Sequence, residues 1–258
     1  MKVRIKSARG SVDPTPAAFP SYAKAFLDLQ VEFAERVAIL SGRPLARALL
    51  EYTNLYIRFG LGRAFDPAHP TWQEYVAGLR DTSDICAWTY RFYSRRPDGM
   101  AAPAVVATFG CFAYSRPGGE RLRLHFQNAE TDGQSPLAAG RAGRRRAELA
   151  ALFEHVKRSQ GEPLQVVGAS WLYNLEAYRR LFPTAYLATA RVVPGRFQHM
   201  PLWGQFLDRH GAIREDRARQ LRERLERQAG CDDLEQCFPF RVISAGGPVQ
   251  DFYDFYGI

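Results

Sequence analysis

Arg121-Leu122-Arg123-Leu124-His125-Phe126 alternates long polar and apolar side chains with period two, the mark of a strand buried on one face. It opens residues 121–193, which read strand, loop, helix, strand, helix, strand. Residues 129–141 are rich in Gly, Asp, Ser and Pro and form a loop. Residues 142–159 place Leu149, Leu152, Phe153 and Val156 on one helical face, and Gly161-Glu162-Pro163 stops that helix. Leu164-Gln165-Val166-Val167 is a short buried strand. Asn174 is placed to cap a helix whose apolar positions are Ala177, Tyr178, Leu181 and Phe182. Pro183 ends it, and residues 186–193 form a further strand.

Upstream, residues 2–6 alternate as a short strand or basic arm, and residues 10–20 carry three prolines and read as an extended link. Tyr22, Ala25, Phe26, Leu29, Phe33, Val37 and Leu40 recur at helical spacing until Gly42. A second helix starts at Pro44 and runs to about Phe59, and a third is capped at Thr71 and runs to Leu79. Residues 85–92 and 105–114 read as consecutive strands, which with residues 121–126 make an antiparallel meander through turns containing Gly and Pro. Downstream, residues 199–210 form a short aromatic-bearing helix and residues 213–228 a helix with Ile213, Leu221 and Leu225 on a narrow stripe. Residues 238–243 resemble one more strand. Phe252, Tyr253, Phe255 and Tyr256 make the tail too apolar to dangle, so it docks on the body, near the N-terminal aromatics, or on a second copy as a homodimer.

The expected architecture is α/β (α+β): a central mixed, mostly antiparallel sheet flanked by helices, in one domain over residues 1–258. Residues 1–82 are mainly helical, 83–193 form the sheet core and 194–258 a C-terminal extension.

That order, and two partial motifs, resemble the GNAT superfamily of N-acetyltransferases over about a third of the chain. In that family a Gly-containing loop after a strand holds the pyrophosphate of acyl-CoA on its backbone amides. Leu137-Ala138-Ala139-Gly140-Arg141-Ala142 matches the family's Gly and small residue but has Leu137 in the place of its Gln or Arg. Small residues admit phosphate to the backbone, and a helix start attracts anions. Arg144, Arg145 and Arg146 in the first helical turn oppose the helix dipole, so either an anion sits nearby or this is a solvated basic helix start. Asn174-Leu175-Glu176-Ala177 echoes a second family motif, but Leu181 stands where many members have the Tyr that protonates the leaving thiolate. Tyr178 and Tyr173 are the alternatives for that role. The resemblance thus implies acetyl-CoA or another acyl-CoA bound by residues 137–142, Arg144 and Asn174, with an amine as acceptor.

His125 is the candidate base, its ordinary pKa near neutrality, and Gln127 shares its face; the bland alternative is a hydrogen-bonded structural histidine. Glu130 and Asp132 suit a cationic acceptor. Tyr52, Tyr56 and Phe59, with Asn54 and Arg58 between them, either wall an acceptor pocket or pack as core. Ser170 lacks the second glycine of a nucleophile elbow, and no cysteine has a nucleophile signature.

The chain has 258 residues, 46% hydrophobic, and a net charge of +8, enough for a real core and favouring anionic partners. Five scattered histidines give no metal spacing, and four cysteines without a C-x-x-C pair suit cytoplasmic thiols, a Cys231–Cys237 disulfide being the alternative. No apolar run crosses a membrane and no secretory signal opens the chain. Acids balance the Arg-rich helix at 213–228, which argues against nucleic acid. Two readings follow: an acyl-CoA-dependent N-acyltransferase acting on an amine of a small molecule or protein, or a noncatalytic binding or regulatory protein of the same fold holding an anionic ligand or macromolecule.

Overall fold

The computed structural model describes residues 22–95, 105–118, 120–159, 164–193 and 201–258. The basic arm and link expected before residue 22 lie outside the described residues. Among the described residues five helices come first: α1 (Lys24–Ser41), α2 (Leu45–Tyr52), α3 (Leu55–Arg58), α4 (Pro70–Arg80) and α5 (Ile85–Ser94). Helix α1 buries Phe26, Leu29, Phe33 and Val37 along one stripe and ends at Gly42, whose φ of 65° is the left-handed stop that glycine adopts freely. Helix α4 is capped by His69, whose ring nitrogen accepts from the Thr71 amide at 3.2 Å, with Pro70 in the first turn. Thr71 therefore lies inside the helix instead of capping it.

Residues 85–92 are helix α5, not the expected strand. Ile, Trp, Thr, Tyr and Phe favour strands locally, but Asp84 caps the helix through the Ala87 amide at 2.8 Å, and Thr89 and Phe92 are buried together. The packing of α5 on α4 leaves no space at Gly78, where a Cβ would meet the Trp88 ring at 2.1 Å.

Among the described residues the sheet has six strands: β1 (Ala107–Phe109), β2 (Phe112–Ser115), β3 (Arg121–Phe126), β4 (Gln165–Ser170), β5 (Arg191–Val192) and β6 (Ile243–Pro248), in the order β1-β2-β3-β4-β6-β5. The single strand expected at 105–114 is a tight hairpin that turns at Gly110, φ 57°. The meander is therefore β1-β2-β3. Only β3 and β4 run parallel, joined through the crossover helix α6 (Ala142–Arg158); the other pairings are antiparallel.

The strand expected at 186–193 is instead the short helix α8 (Thr184–Ala188) followed by β5, while α7 (Glu176–Arg179) covers part of the helix expected there. The last strand lies beyond the expected 238–243. Phe238 is buried among helices, and the Gly-rich β6 pairs with β4 over six residues. Pro201–Phe206 is a 3-10 turn, α9 spans Glu215–Glu226 and α10 spans Val249–Tyr256.

Two apolar cores result. One lies under the sheet face carrying Leu122 and Val166, closed by α6, α7, α8 and α10. The other joins α1–α5 to Trp203, Phe206, Phe238 and the buried side of α9. Residues after 200 thus contribute to both. The tail packs against α6, not against the N-terminal aromatics: Phe252 stacks on Phe153 at 4.6 Å and meets Tyr186 at 4.9 Å. Among the described residues no helix is long and apolar enough to cross a membrane.

Candidate functional site

Strands β3 and β4 pair only at Arg121↔Gln165, Leu122↔Val166 and Arg123↔Val167. Beyond that point β3 stays with β2 to Phe126 and β4 stays with β6 to Ser170, so the two strands part. A cleft of about 920 Å³ occupies the gap, bounded by both strand ends, residues 135–137 and the turn after β4, with the helical layer opposite.

His125, Gln127, Leu137, Tyr173, Tyr178 and Arg58 all line this cleft. His125 Nε2 and Ser115 Oγ lie 2.7 Å apart. Burial, then the charges of Arg63 and Arg123, push the His125 pKa down to about 4, so the ring is neutral at pH 7. Burial raises the Tyr173 and Tyr178 phenols well above the ordinary tyrosine value, so both keep their protons. The Tyr173 hydroxyl is hydrogen-bonded to that of Tyr186 at 2.7 Å, directly over Gly168.

The other candidates lie elsewhere. Asn54 is buried, its backbone N–H donating to Gln30 Oε1 at 2.9 Å. Tyr56 is fully buried and stacked on Phe65 at 5.3 Å, and Tyr52 and Phe59 belong to the same helical core. Asn174 donates to the carbonyls of Trp171 (2.7 Å) and Arg241 (2.9 Å), tying the turn after β4 to the approach of β6. Leu175, not Asn174, is the cap of α7.

The loop holding Ala138, Ala139, Gly140, Arg141 and Ala142 forms a single 3-10 turn that runs into α6. Only its first neighbour, Leu137, lines the cleft. Arg180 holds the loop by donating to the carbonyls of Leu137 and Ala138, at 3.4 Å each. A Cβ at Gly140 meets nothing within 4 Å, so the space before the loop is open.

The charge conflict in the first turn of α6 is met by the protein's own carboxylates. Arg145, with its side chain 1% exposed, bonds Glu130 at 2.6 Å and Glu148 at 2.7 Å. Arg144 reaches Glu130 at 3.2 Å, and Arg141 pairs with Glu130 and Asp132. Burial disfavours the Glu130 charge, but Arg145 and Arg141 outweigh it and hold the carboxyl below the usual range. Glu130 and Asp132 are thus neutralised by arginine.

A cationic wall, assembled from segments far apart in the sequence, faces the cleft residues. Besides Arg58, the cleft is lined by Arg63, Arg209, Arg214 and Arg217, with Asp208 the one carboxylate among its described lining residues. Asp208 is engaged by the amides of His210 (2.8 Å) and Ala212 (2.9 Å). Among the described residues no group of three or more His, Cys, Asp or Glu could hold a metal ion. No protein-family model, curated protein or solved structure matches the chain.

Proposed function

We propose that this chain is an acyl-CoA-dependent N-acyltransferase of the GNAT type. The observation that carries the reading is the parting of the parallel strands β3 and β4 over a cleft, with the open loop 137–142 leading into the crossover helix beside it. Past Val167, the β3-facing edge of β4 has no partner in β3, leaving backbone groups for a ligand. Ala139 and Gly140 open a helical turn, and amides there have no helical acceptor, so they suit phosphate oxygens. The arginine-lined cleft suits the polyanionic character of CoA.

The chemistry is attack of an amine on the thioester carbonyl, loss of the amine proton and expulsion of the thiolate, which takes a proton. Neutral His125 accepts the first proton. Protonated Tyr178 or Tyr173 supplies the second, in place of the family's Tyr, where Leu181 lies fully buried. Leu181 and the internally neutralised arginines favour the second reading, a noncatalytic protein of the same fold holding an anionic ligand. The test pairs acyl-CoA binding with turnover in Tyr178→Phe and Tyr173→Phe. Binding with a slowed transfer in one variant supports the enzyme; binding with no transfer to any of a panel of amines favours the second reading.

A further inference from the structure

We propose that an arginine-walled trough, on the sheet face turned away from α6, docks an extended acidic segment of a peptide acceptor. That the segment belongs to the acceptor rests on the acyltransferase reading; that the trough binds it does not.

The register of the sheet builds the trough. Arg121 and Arg123 stand two residues apart on β3, so they share one face, and their partners Gln165 and Val167 on β4 share it too. The pairing carries this face on through Gly246 and Ser244 of β6 to Arg191 of β5. Leu122 and Val166 alternate with these residues and point into the core under α6. Arginines therefore stand on the first and last of the adjacent strands β3-β4-β6-β5, and the small residues Gly246 and Ser244 keep the floor between them low. Three strand spacings set those walls about 14 Å apart, room for one extended chain with its side chains. The depression measures about 620 Å³. Its floor is fixed where the Gly246 N–H donates to Thr189 Oγ1 at 3.0 Å.

The trough collects positive charge without neutralising it. Arg121, Arg123 and Arg191 are exposed. No carboxylate is among the described lining residues, and within the described residues none of the three arginines forms an ion pair. At the start of α6, by contrast, Arg141, Arg144 and Arg145 are all matched by carboxylates. Guanidinium groups gathered around one depression suit an anionic occupant.

Spacing and composition choose among anions. In an extended peptide, alternate side chains fall on one face about 6.6–6.8 Å apart, the same repeat that separates Arg121 from Arg123, so acids at every second position meet both. No aromatic side chain is among the described lining residues, so a single-stranded nucleic acid would find phosphate contacts but no platform for its bases. The trough also adjoins the cleft. Gly168 and Ala169 border both, and His125 follows Arg123 by two residues on the same strand. A peptide amine at His125 thus brings the neighbouring residues of that peptide over Arg123 and Arg121.

The test is fluorescence anisotropy on the intact protein at low ionic strength. The probes are a labelled short peptide with a free amine and glutamate at every second position, its glutamine counterpart, and a labelled oligothymidylate. The glutamate peptide is expected to bind saturably, more tightly than either of the others, and to weaken with salt. Arg121→Gln/Arg123→Gln/Arg191→Gln should weaken it by at least about tenfold, at up to about fivefold for each exposed arginine. Arg158→Gln/Arg219→Gln/Arg227→Gln removes the same charge from exposed positions elsewhere and should change binding by less than about twofold. The inference is overturned if the glutamine peptide or the oligonucleotide binds as well as the glutamate peptide, or if the two triple variants weaken binding alike. Acetyl-CoA-dependent acylation of both peptides, followed by mass spectrometry, separates the two claims. Acylation that ignores the glutamates sinks the docking alone. Variant-sensitive peptide binding with neither acylation nor acetyl-CoA binding leaves the trough standing and removes the acyltransferase reading.

Discussion

Replacing Gly168 by alanine tests the packing on which the cleft is built. The new Cβ would lie 2.1 Å from the Tyr173 hydroxyl, 2.5 Å from the Tyr186 hydroxyl and 3.0 Å from Tyr173 Cζ. Ordinary contact starts near 3.4 Å, so the Tyr173 ring must shift by more than about 1 Å. It has little room, being 3% exposed and packed on Tyr178 at 5.2 Å and Phe182 at 5.6 Å. Overpacking of this kind costs about 1–3 kcal/mol, and a buried hydroxyl parted from its partner costs about 1–3 kcal/mol more. The sum, about 2–6 kcal/mol, corresponds to a fall of roughly 4–24 °C in Tm at about 2–4 °C per kcal/mol for a chain of this length. Urea unfolding followed by tryptophan fluorescence, with a check that the m-value holds, measures the first quantity, and calorimetry the second. Tyr173→Phe removes the nearest clashing atom, so it should cost less in the Gly168→Ala background than in the wild type. A variant that melts within about 1 °C of the wild type, or strictly additive costs, would mean that Gly168 is not held tight beneath Tyr173 and Tyr186.

The acid limb of acyl transfer is expected near pH 4 instead of near neutrality, because activity needs neutral His125 and the ring protonates only at about 4; His125→Ala should abolish that limb in a pH–rate profile. The same group couples to stability. Its folded pKa lies below the unfolded value of about 6.5, so its contribution is intact above pH 6.5 and is lost progressively as pH falls towards 4. Urea midpoints at pH 7.5 and 5 should show a smaller difference in His125→Ala. Gly140→Asp should leave the melting curve unchanged, because its Cβ meets nothing, yet weaken acyl-CoA binding by opposing the phosphates; unchanged affinity in the folded variant removes the loop from the site. Deleting residues 252–258 exposes Phe153 and removes fully buried Phe252, worth about 1.5–3 kcal/mol for that ring alone. Hydrogen exchange should then rise in α6 and β6 before the N-terminal helices, and an unaltered Tm would show the tail to be dispensable.

The legible parts of the fold were those where a local period coincides with burial. Leu122 and Leu124 alternate with Arg121 and Arg123 in β3, and Leu149, Leu152, Phe153 and Val156 line the buried side of α6, so both elements could be read from spacing alone. Residues 85–94 could not, because their strand-favouring side chains are overruled by the Asp84 cap and by packing on α4. Strand β6 carries Ser244-Ala245-Gly246-Gly247-Pro248, with no strand signal at all; its pairing with β4 is a backbone matter, and Gly247 sits against the Tyr186 ring. In the cleft, His125, Gln127, Leu137, Tyr173 and Tyr178 were legible because they lie within one βαβ unit or in the turn and short helix that follow it. Arg209, Arg214 and Arg217 were not, because only tertiary packing brings that distant segment across from β3. The aromatics Tyr52, Tyr56 and Phe59 at helical spacing turned out to fill the helical core, the more ordinary use of such a stripe.

Calorimetric titration of the intact protein with acetyl-CoA and with a longer acyl-CoA asks whether the cleft holds an acyl-CoA at all. The expected result is saturable one-to-one binding of at least one of them, weakened by salt as befits phosphates held in an arginine-lined cleft, and lost in Gly140→Asp. No heat of binding with either ligand, at concentrations well above those at which such substrates ordinarily bind, would contradict it.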